Sequence, residues 1–285
     1  MLNPLVSILM NCHNGEKYLI QAVSSVLAQT YENFELVFFD NASTDKTEYI
    51  IKSFNDKRIK YFKSLKKLTL SEARLEAWKH INGEYVAILD TDDICFPNRL
   101  SNQLKCFLSD TELSVLGGNC EIINDKGYII GKTNHIKSSK ELKKKISYSF
   151  PFNNATLMFK KEHVDNVGGY PKKYTMINDY VLVYNLACKY KISNTLDFIS
   201  QNRQHKENLS NKKYIIGLIE HYEFLNHISK DISNKKIIKK NLIYISRYYF
   251  KILIYYILNF KFNELLLHLK RFQFLNIIYL LFNAK

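Results

Sequence analysis

The sequence predicts an α/β fold: a mixed, mostly parallel sheet with helices on both sides, followed by a helical extension at the C-terminus. Two observations lead to this prediction. Over the first 120 residues, short and almost wholly apolar runs alternate with stretches in which apolar residues recur every three or four positions. From about residue 214 onwards the strand signals thin out, and the chain is rich in Ile, Leu, Tyr, Phe and Lys. Alternating strands and helices are typical of parallel sheets, because each crossover is commonly a helix.

The first part of the chain divides into elements by its apolar pattern and by local end signals. Ser or Thr is favoured before a helix, Pro in its first turn, and Gly after its end. The predicted strands are Leu5–Met10, Phe34–Phe39, Arg58–Phe62 and Glu84–Leu89. The predicted helices carry Leu19 to Leu27, Thr47 to Phe54 after a cap at Ser43 or Thr44, Leu70 to Ile81 before Asn82-Gly83, and the residues that follow Pro97.

From about residue 113 the pattern changes to short segments bounded by turn residues, which is typical of antiparallel strands. The strands predicted here are Leu113–Gly117, Cys120–Asn124, Tyr128–Gly131, Thr156–Phe159 and Ile192–Ile199. Lys137–Lys145 is predicted as a charged helix or a mobile segment, Val167–Tyr170 as a turn, and Asp179–Lys189 as a helix.

Positive charge is concentrated towards the C-terminus. The 285 residues carry a formal net charge of +14, and residues 211–285 hold 13 Lys and Arg against 4 Asp and Glu. One predicted helix face carries Leu242, Ile245, Tyr249, Ile252, Tyr256 and Phe260, and the apolar blocks Leu265–Leu269 and Phe272–Phe282 follow. Apolar blocks alternating with basic residues suit helices on an anionic membrane surface, a bundle packed on the rest of the chain, or contact with a second copy in a homodimer. These alternatives stay open, and no motif predicts a nucleic-acid partner.

Composition and cysteine usage bound the class of protein. Apolar residues make up 46% and charged residues 24% of the chain, which excludes a disordered or collagen-like protein. Five cysteines without a CxxC pair argue against a disulfide scaffold and for a reducing compartment. We expect no secretory signal in residues 1–20, and the longest apolar stretches are far shorter than the roughly 20 residues of a membrane-spanning helix. A cytoplasmic protein is therefore predicted.

Carboxylates follow two of the predicted parallel strands at their carboxyl ends, where ligands bind in open α/β sheets. Asp40 follows the second strand, and Asp90, Asp92 and Asp93 follow Glu84–Leu89. Three acids within four residues repel one another, and a bound divalent cation relieves that repulsion. Oxygen ligands without nearby His or Cys favour Mg²⁺ or Mn²⁺ over zinc. A solvated acidic turn is the structural alternative.

Several segments together resemble family 2 glycosyltransferases with the GT-A (nucleotide-diphospho-sugar transferase) fold. The resemblance covers about the first 210 residues and includes a DxD segment around Asp90–Asp93. The segments that carry it are Val6–Leu19, Gln29–Leu36, Asp40–Thr47, Asn82–Leu100, Val167–Tyr170, Asn178–Tyr180 and Arg203–His205. It implies inverting transfer of a sugar from a nucleotide-activated donor to a hydroxyl group. We predict a catalytic domain at 1–212, with a nucleotide-binding half at 1–118 and an acceptor half at 119–212, and a basic helical region at 213–285.

The resemblance also implies roles for the acids. Asp92 and Asp93 hold the ribose or the metal, in an order that the sequence leaves open, and His205 joins them as a metal ligand. Asp90 supports them from the strand end. Asp179 matches the family's general base at a helix start, where Asn178 replaces the usual preceding acid. An ordinary helix cap is the alternative for Asp179.

The nucleotide site follows from the same resemblance. Asp40 matches the base-reading aspartate, and a carboxylate accepts the N3–H of uracil or thymine or the N1–H of guanine, so UDP-sugars are favoured over dTDP- and GDP-sugars. His13, Asn14 and Glu16 match the segment that walls the base and ribose. Arg74 matches an arginine on the diphosphate, although no glycine precedes it at Leu68–Glu72. Arg203 and His205 match an element that closes over the phosphates or metal, with a solvated basic loop as the alternative.

The predicted function is therefore a Mn²⁺- or Mg²⁺-dependent hexosyl- or N-acetylhexosaminyltransferase that acts on a glycan or lipid-linked acceptor. Bacterial lipooligosaccharide, lipopolysaccharide or capsule biosynthesis is the expected setting, with the enzyme peripheral on the inner face of the cytoplasmic membrane. Two alternatives stay open: a sugar nucleotidyltransferase, and a catalytically inert module that binds sugar or nucleotide. The first lacks its expected Gly-rich, basic phosphate loop after the first strand.

Overall fold

The structure is a computed structural model that describes residues 3–230 and 235–259. The described residues form two compact units. The first comprises residues 3–143 and 151–205, and the second comprises residues 144–150, 206–230 and 235–259. The division predicted between residues 212 and 213 stays a prediction.

The first unit is built on one sheet whose strands run, in space, β3-β2-β1-β4-β8-β6-β9-β5, with β7 paired to β6. The strands are Val6–Cys12 (β1), Phe34–Asp40 (β2), Ile59–Lys63 (β3), Tyr85–Ile88 (β4), Ile94–Cys95 (β5), Leu113–Ile123 (β6), Ile129–Lys132 (β7), Met158–Lys160 (β8) and Lys191–Arg203 (β9). The four strands β3, β2, β1 and β4 are parallel, and β6 is parallel to β9. Antiparallel β8 joins the two parallel groups. The predicted mixed, mostly parallel sheet is confirmed.

Helices connect the strands and form the C-terminal part of the described chain. They are Leu19–Leu27 (α1), Thr47–Ser53 (α2), Leu70–Trp78 (α3), Arg99–Ser109 (α4), Ser139–Lys145 (α5), Lys161–Asn166 (α6), Asn178–Lys189 (α7), Leu209–Lys212 (α8), Tyr214–Ser229 (α9) and Lys235–Leu258 (α10). Thr69 caps α3 with a reciprocal pair of hydrogen bonds to Glu72. The predicted cap of α2 at Ser43 or Thr44 is wrong: the helix begins after Lys46 without a side-chain cap, and the Ser43 hydroxyl accepts the amide of Asn14.

The apolar runs that predicted strands lie in the core. Every residue of β2 and β4 is buried, and β1 is buried except for Asn11. The apolar stripe of α1 packs into the same core through Leu19, Ala22, Val23 and Val26. The carboxyl ends of β1, β2 and β4 therefore lie in the packed core, and the loops that follow them start from buried residues.

The structure corrects one local prediction. Leu113–Gly117 and Cys120–Asn124 are not two antiparallel strands but parts of the single long strand β6, which pairs in parallel with β9. From the sequence, Gly117 and Gly118 suggest that the strand ends there, yet both glycines lie inside β6. A side chain at Gly117 would collide with Asn194 and Phe152, and one at Gly118 would collide with Ile199. The glycines therefore permit close packing and do not end the strand.

The second unit is mostly helical among its described residues. The predicted apolar face of α10 is buried, with Leu242, Ile245, Tyr249, Ile252 and Tyr256 each at most 4% exposed. Within residues 3–230 and 235–259, no helix combines the length and hydropathy needed to cross a membrane. Phe260 and the blocks Leu265–Leu269 and Phe272–Phe282 lie outside the described residues.

Candidate active site

The loop after β1 meets the loop after β2 at His13. Its Nδ1 lies 2.9 Å from the carbonyl oxygen of Asn41, and its Nε2 lies 2.7 Å from Nζ of Lys67. The side chain of Asn41 holds the following loop: its Oδ1 accepts the amide of Leu68 at 2.8 Å, and its Nδ2 donates to the Leu68 carbonyl at 3.0 Å. Asn41 thus anchors the loop before α3, which contains no glycine in this sequence. This loop places Lys67 beside His13.

Asn14 and Glu16 join the same two loops. Oδ1 of Asn14 accepts the amide of Thr44 at 2.8 Å, and Oε2 of Glu16 accepts the amide of Lys46 at 2.9 Å. Asn14 has a φ of 57°, in the left-handed region that asparagine tolerates better than most residues. Both side chains therefore tie the loop after β1 to the loop after β2. Their direct contact with a nucleotide stays a prediction.

Asp40 ends β2 and is completely buried, at 0% exposed. Its Oδ1 accepts the amide of Ser43 at 2.7 Å, and its Oδ2 accepts the hydroxyl of Tyr61 at 2.9 Å. Burial and this carboxylate together raise the pKa of Tyr61, so that the phenol stays protonated and donates. Each carboxylate oxygen can accept a second hydrogen bond, and base reading by Asp40 remains a prediction.

Arg74 of α3 lies next to the start of α7. Arg74 as a residue is 6% exposed, and its guanidinium donates through Nη1 to Oδ1 of Asn178 and lies 5.2 Å from the centre of the Tyr170 ring. Asn178 is in turn fixed by a 2.9 Å hydrogen bond from its Nδ2 to the hydroxyl of Ser71. Asp179 follows in the first turn of α7 and is partly exposed, and its role as the base stays a prediction.

Asp90 and Asp179 share this site with Arg74. The pKa of Asp90 is raised to about 6, chiefly by burial and then by the negative charge of Asp92, while Arg74 opposes the shift and Asp179 adds to it. Nδ2 of Asn154 reaches both Asp90 oxygens at 3.4 and 3.5 Å. Arg74 thus contacts the residue before the predicted base, and the charges of Arg74 and Asp179 both act on the first acid of the DxD segment.

Asp92 is paired with His205, 113 positions later in the chain. Oδ2 of Asp92 lies 2.9 Å from Nε2 of His205, and their side chains are 23% and 10% exposed. The ring of His205 packs against Tyr18, with centroids 5.0 Å apart. The sequence predicts Asp92 and His205 together, and the structure places them side by side.

Asp93 is turned into the protein. The residue is 1% exposed, its Oδ1 accepts the amide of Arg203 at 2.8 Å, and its Oδ2 accepts Nδ2 of Asn202 at 2.8 Å. Arg203 completes the link by donating from Nε to the carbonyl of Asp92 at 3.0 Å. Burial, followed by the charges of Asp92 and Asp90, raises the pKa of Asp93. Asp93 therefore anchors the end of β9 to the acidic turn, and the predicted role of Arg203 in closing over the phosphates or metal, or in supporting the acids, stays a prediction.

Comparison with known families places this site in context. Residues 7–182, more than half of the chain, match the family described as Glycosyl transferase family 2. The chain belongs to glycosyltransferase family 2. The predicted family membership and the prediction of a glycosyltransferase are both confirmed.

Two relatives show how far this glycosyltransferase is similar to curated proteins. The first is UDP-Glc:alpha-D-GlcNAc-diphosphoundecaprenol beta-1,3-glucosyltransferase WfgD of Escherichia coli, 40% identical over 128 residues, which are 45% of this chain and 50% of the relative. The second, an uncharacterized glycosyltransferase of Methanocaldococcus jannaschii, is 29% identical over 224 residues, which are 72% of this chain and 77% of the relative. The chain thus spans only half the length of the E. coli relative that it matches.

Solved structures confirm the GT-A-like fold of this glycosyltransferase. TarS of Staphylococcus aureus in complex with UDP-GlcNAc aligns with a TM-score of 0.67 and 18% identity, over 83% of this chain and 71% of that one. The mannosyltransferase PcManGT of Pyrobaculum calidifontis, in complex with GDP-Man and Mn²⁺, aligns with a TM-score of 0.60 and 16% identity, over 87% of this chain and 75% of that one. At these identities the likeness establishes the fold alone.

The acidic turn of this glycosyltransferase fits a divalent cation held mainly by substrate. Within the described part of the chain, no three His, Cys, Asp or Glu side chains are close enough to enclose a metal ion. Asp92 and His205 supply one carboxylate and one imidazole, and the negative charge of Asp92 raises the pKa of Asp90. Mg²⁺ in phosphate-transferring sites is typically held by one or two carboxylates together with substrate phosphates. This donor set fits that arrangement better than a closed protein cage.

Sequence reasoning missed two residues that hold the site of this glycosyltransferase. Arg99 is fully buried at the start of α4 and donates from Nη2 to the carbonyl of Ile88 at 2.8 Å and to that of Leu157 at 3.2 Å. It thereby fixes the end of β4 just before Asp90. Arg99 lies in the helix predicted after Pro97, but nothing in the sequence marks it as buried. Asn154, which contacts Asp90, carries no signal in the sequence either.

Proposed function

We propose that this glycosyltransferase moves a sugar from a UDP-sugar to a hydroxyl of a lipid-linked glycan, with inversion at the anomeric carbon. The observation that carries the proposal is the hydrogen bond from Arg74 to Asn178, which places the predicted diphosphate arginine beside the residue that precedes the predicted base Asp179. The donor class is supported by the UDP-Glc in the name of WfgD and by the TarS complexes with UDP and UDP-GlcNAc. The lipid-linked acceptor is supported by the diphosphoundecaprenol in the name of WfgD.

Inversion in one step assigns distinct tasks to the chain's residues. Asp179, partly exposed in the first turn of α7, takes the proton of the acceptor hydroxyl. The acceptor oxygen then forms its bond to the anomeric carbon as the bond from that carbon to the diphosphate oxygen breaks. The nucleoside diphosphate leaves with the electron pair. Arg74, held in place by Asn178 and Tyr170, directs a fixed positive charge to the departing phosphates.

Mn²⁺ or Mg²⁺ is the proposed cofactor, and when bound it offsets the negative charge of the diphosphate. Asp92 is the proposed protein ligand with His205 beside it, because both side chains are partly accessible and lie 2.9 Å apart. Asp93 has a positioning task, since both its oxygens already accept hydrogen bonds from the end of β9. The Mn²⁺ in the PcManGT complex is consistent with this choice of cation.

The nucleotide is proposed to lie over the loops after β1 and β2. His13, Asn14 and Glu16 line this wall, and Lys67 adds positive charge beside His13. Base reading by Asp40 is proposed on the family resemblance alone, because its carboxylate is fully buried and both of its oxygens already accept hydrogen bonds, from Ser43 and Tyr61.

The setting that we infer is the synthesis of a bacterial surface glycan, such as lipopolysaccharide, lipooligosaccharide or capsule, by hexosyl or N-acetylhexosaminyl transfer. A lipid-linked acceptor requires the enzyme to work at a membrane. The basic C-terminal region supports a peripheral position on the inner face of the cytoplasmic membrane.

The decisive experiment measures what is released from a panel of nucleotide-sugars in the presence of Mn²⁺. We expect UDP from a UDP-sugar, and we expect Asp179→Asn to keep UDP affinity while turnover falls at least 100-fold. Glu162→Gln is a matched control, because Glu162 also lies in the first turn of a helix but is exposed. Release of pyrophosphate from a nucleoside triphosphate and a sugar phosphate would support a nucleotidyltransferase instead. Tight UDP binding without release under any condition would support an inert module.

A further inference from the structure

The helix α10 is unusual in its charge. Its 24 residues, Lys235–Leu258, include six Lys and Arg and no Asp or Glu. A helix that only packs on its own unit has no need of such an imbalance, since mixed charges on the solvent side serve solubility as well. The one-sided charge therefore indicates an anionic partner.

One side of α10 is occupied by packing within the second unit. Tyr249 lies 6.3 Å from Tyr222 of α9, measured between ring centroids, and Tyr248 stacks on His221 at 4.9 Å. This side includes the buried apolar residues that the sequence pattern predicted. The contacts of this side are therefore enough to hold α10 in its unit, and the residues on the opposite side are not needed for that packing.

The opposite side, which we call the α10 outer face, consists of Lys240, Ile243, Arg247, Phe250, Lys251, Ile254 and Ile257, all of them exposed. Its apolar side chains are well exposed: Ile243 39%, Phe250 54%, Ile254 52% and Ile257 44%. With 3.6 residues per turn, these four fall within an arc of about 60°, and the three basic residues fall within the adjoining arc of about 40°. An apolar row of this size next to a basic row is not expected on a surface that meets only water.

We propose that the α10 outer face binds the surface of an anionic lipid bilayer. The apolar row would enter the boundary between headgroups and acyl chains, and the basic row would lie at the anionic headgroups. A second copy of the chain is a poorer occupant, because pairing the same face would bring two basic rows together. The proposal rests on the proposed function only in that a lipid-linked acceptor brings the enzyme to a membrane.

The test is flotation of the full-length protein with vesicles of phosphatidylcholine alone or with one quarter phosphatidylglycerol. We expect binding that depends on phosphatidylglycerol and weakens with added salt. The double variant Phe250→Glu/Ile254→Glu should lose at least tenfold in partition coefficient. The triple variant Lys240→Gln/Arg247→Gln/Lys251→Gln should also lose at least tenfold, because each basic side chain near an anionic surface contributes about fivefold.

Two matched controls separate the face from general charge effects. Tyr49→Glu adds a negative charge at an exposed aromatic residue of α2, and Lys57→Gln/Lys60→Gln/Lys105→Gln removes three exposed lysines of the first unit. Both should bind vesicles like the unchanged protein. Melting temperatures of all variants check that each is folded, and UDP release in the absence of vesicles should be equal among the folded variants.

Three outcomes would overturn the proposal. The unchanged protein could ignore phosphatidylglycerol vesicles at low salt, or both outer-face variants could bind as well as the controls do. Light scattering could also show a dimer that Phe250→Glu/Ile254→Glu converts to a monomer while vesicle binding is absent, which would assign the face to a second copy. A protein that binds vesicles but releases no UDP would leave this surface standing and refute the proposed function, so the two fail separately.

Discussion

Arg74 donates a hydrogen bond to the side-chain oxygen of Asn178, the residue directly before the candidate base Asp179. The partner of this buried guanidinium is a neutral amide, and the Tyr170 ring lies against it. Arg74 therefore forms no ion pair with Asn178, its hydrogen-bond partner on α7. It acts instead on the wider site, where it lowers the pKa of Asp90 against the effect of burial.

Replacement of the amide tests this relationship. Asn178→Asp places a carboxylate against Arg74, so we expect UDP to bind at least fivefold more weakly in the presence of Mn²⁺, because charge-assisted hydrogen bonds are worth about 1.5–3 kcal/mol. Titration calorimetry measures this affinity. Asn178→Asp also removes the Nδ2 group that donates to the Ser71 hydroxyl and the Thr175 carbonyl, so the melting temperature is measured alongside the affinity to check that the variant is folded. An Asn178→Asp protein that binds UDP as tightly as the unchanged protein would show that the charge of Arg74 does not reach the diphosphate.

Asp92 and Asp93 should respond differently to substitution, although they are adjacent. Asp92→Asn should abolish the gain in UDP affinity that Mn²⁺ provides, with little change in melting temperature, because the Asp92 side chain is 23% exposed. Calorimetric titrations of UDP with Mn²⁺ and with EDTA measure that gain. If Asp92→Asn keeps the full effect of Mn²⁺, Asp92 is not the metal ligand.

Asp93→Ala should act on stability. It leaves the Arg203 amide and the Asn202 side chain without their buried acceptor, which costs about 2 kcal/mol in the free energy of unfolding. Urea unfolding followed by circular dichroism measures the loss. Unaltered stability together with lost Mn²⁺ dependence would instead assign the metal to Asp93.

The raised pKa of Asp90 predicts a pH-dependent stability. The pKa of the Asp90 carboxyl is about 6 in the native state, against an ordinary pKa of 3.8. Between these two pH values the native state therefore binds more protons than the unfolded state. Ionisation of Asp90 therefore lowers the free energy of unfolding as pH rises from about 4 to above 6, by about 3 kcal/mol in all. Asp90→Asn removes this loss.

The measurement compares the two proteins by urea unfolding in metal-free buffer. Asp90→Asn should be more stable than the unchanged protein at pH 8, and the two should be nearly equal at pH 4. A difference that is the same at both pH values would mean that the effect of the substitution comes from packing, and not from ionisation of the carboxyl group.

Arg99 should prove important for a site that it does not touch. Arg99→Met removes the buried donor of the Ile88 carbonyl, while the Leu157 carbonyl keeps its hydrogen bond from the Ile88 amide, at a cost of about 1–3 kcal/mol in the free energy of unfolding. Lys105→Met on the exposed side of the same helix is the control and should change stability by less than about 0.5 kcal/mol. Thermal melting distinguishes them, and equal stability of the two variants would remove Arg99 as the clamp on β4.

The comparison of predicted and observed structure shows which features are local. The buried runs around β1, β2 and β4 were predictable because a strand covered on both faces must be apolar throughout, whatever lies next to it. The position of Asp179 at a helix start was predictable too, because the residues that follow it have the apolar spacing of a helix. The continuity of β6 was not, because Gly117 and Gly118 resemble a break unless the packing of Asn194, Phe152 and Ile199 against them is known.

The sequence alone determined the family, the alternation of strands and helices in the first 120 residues, and which carboxylates follow parallel strands. These follow from hydrophobic periodicity and from ordered motifs, both of which are properties of neighbouring residues. Only the tertiary structure decided that Asp93 faces inward while Asp92 meets His205, and that Asn178 holds Arg74 across 104 positions. The physical reason is that a side chain's direction at a turn, and the partner it finds there, depend on elements brought together by packing far along the chain.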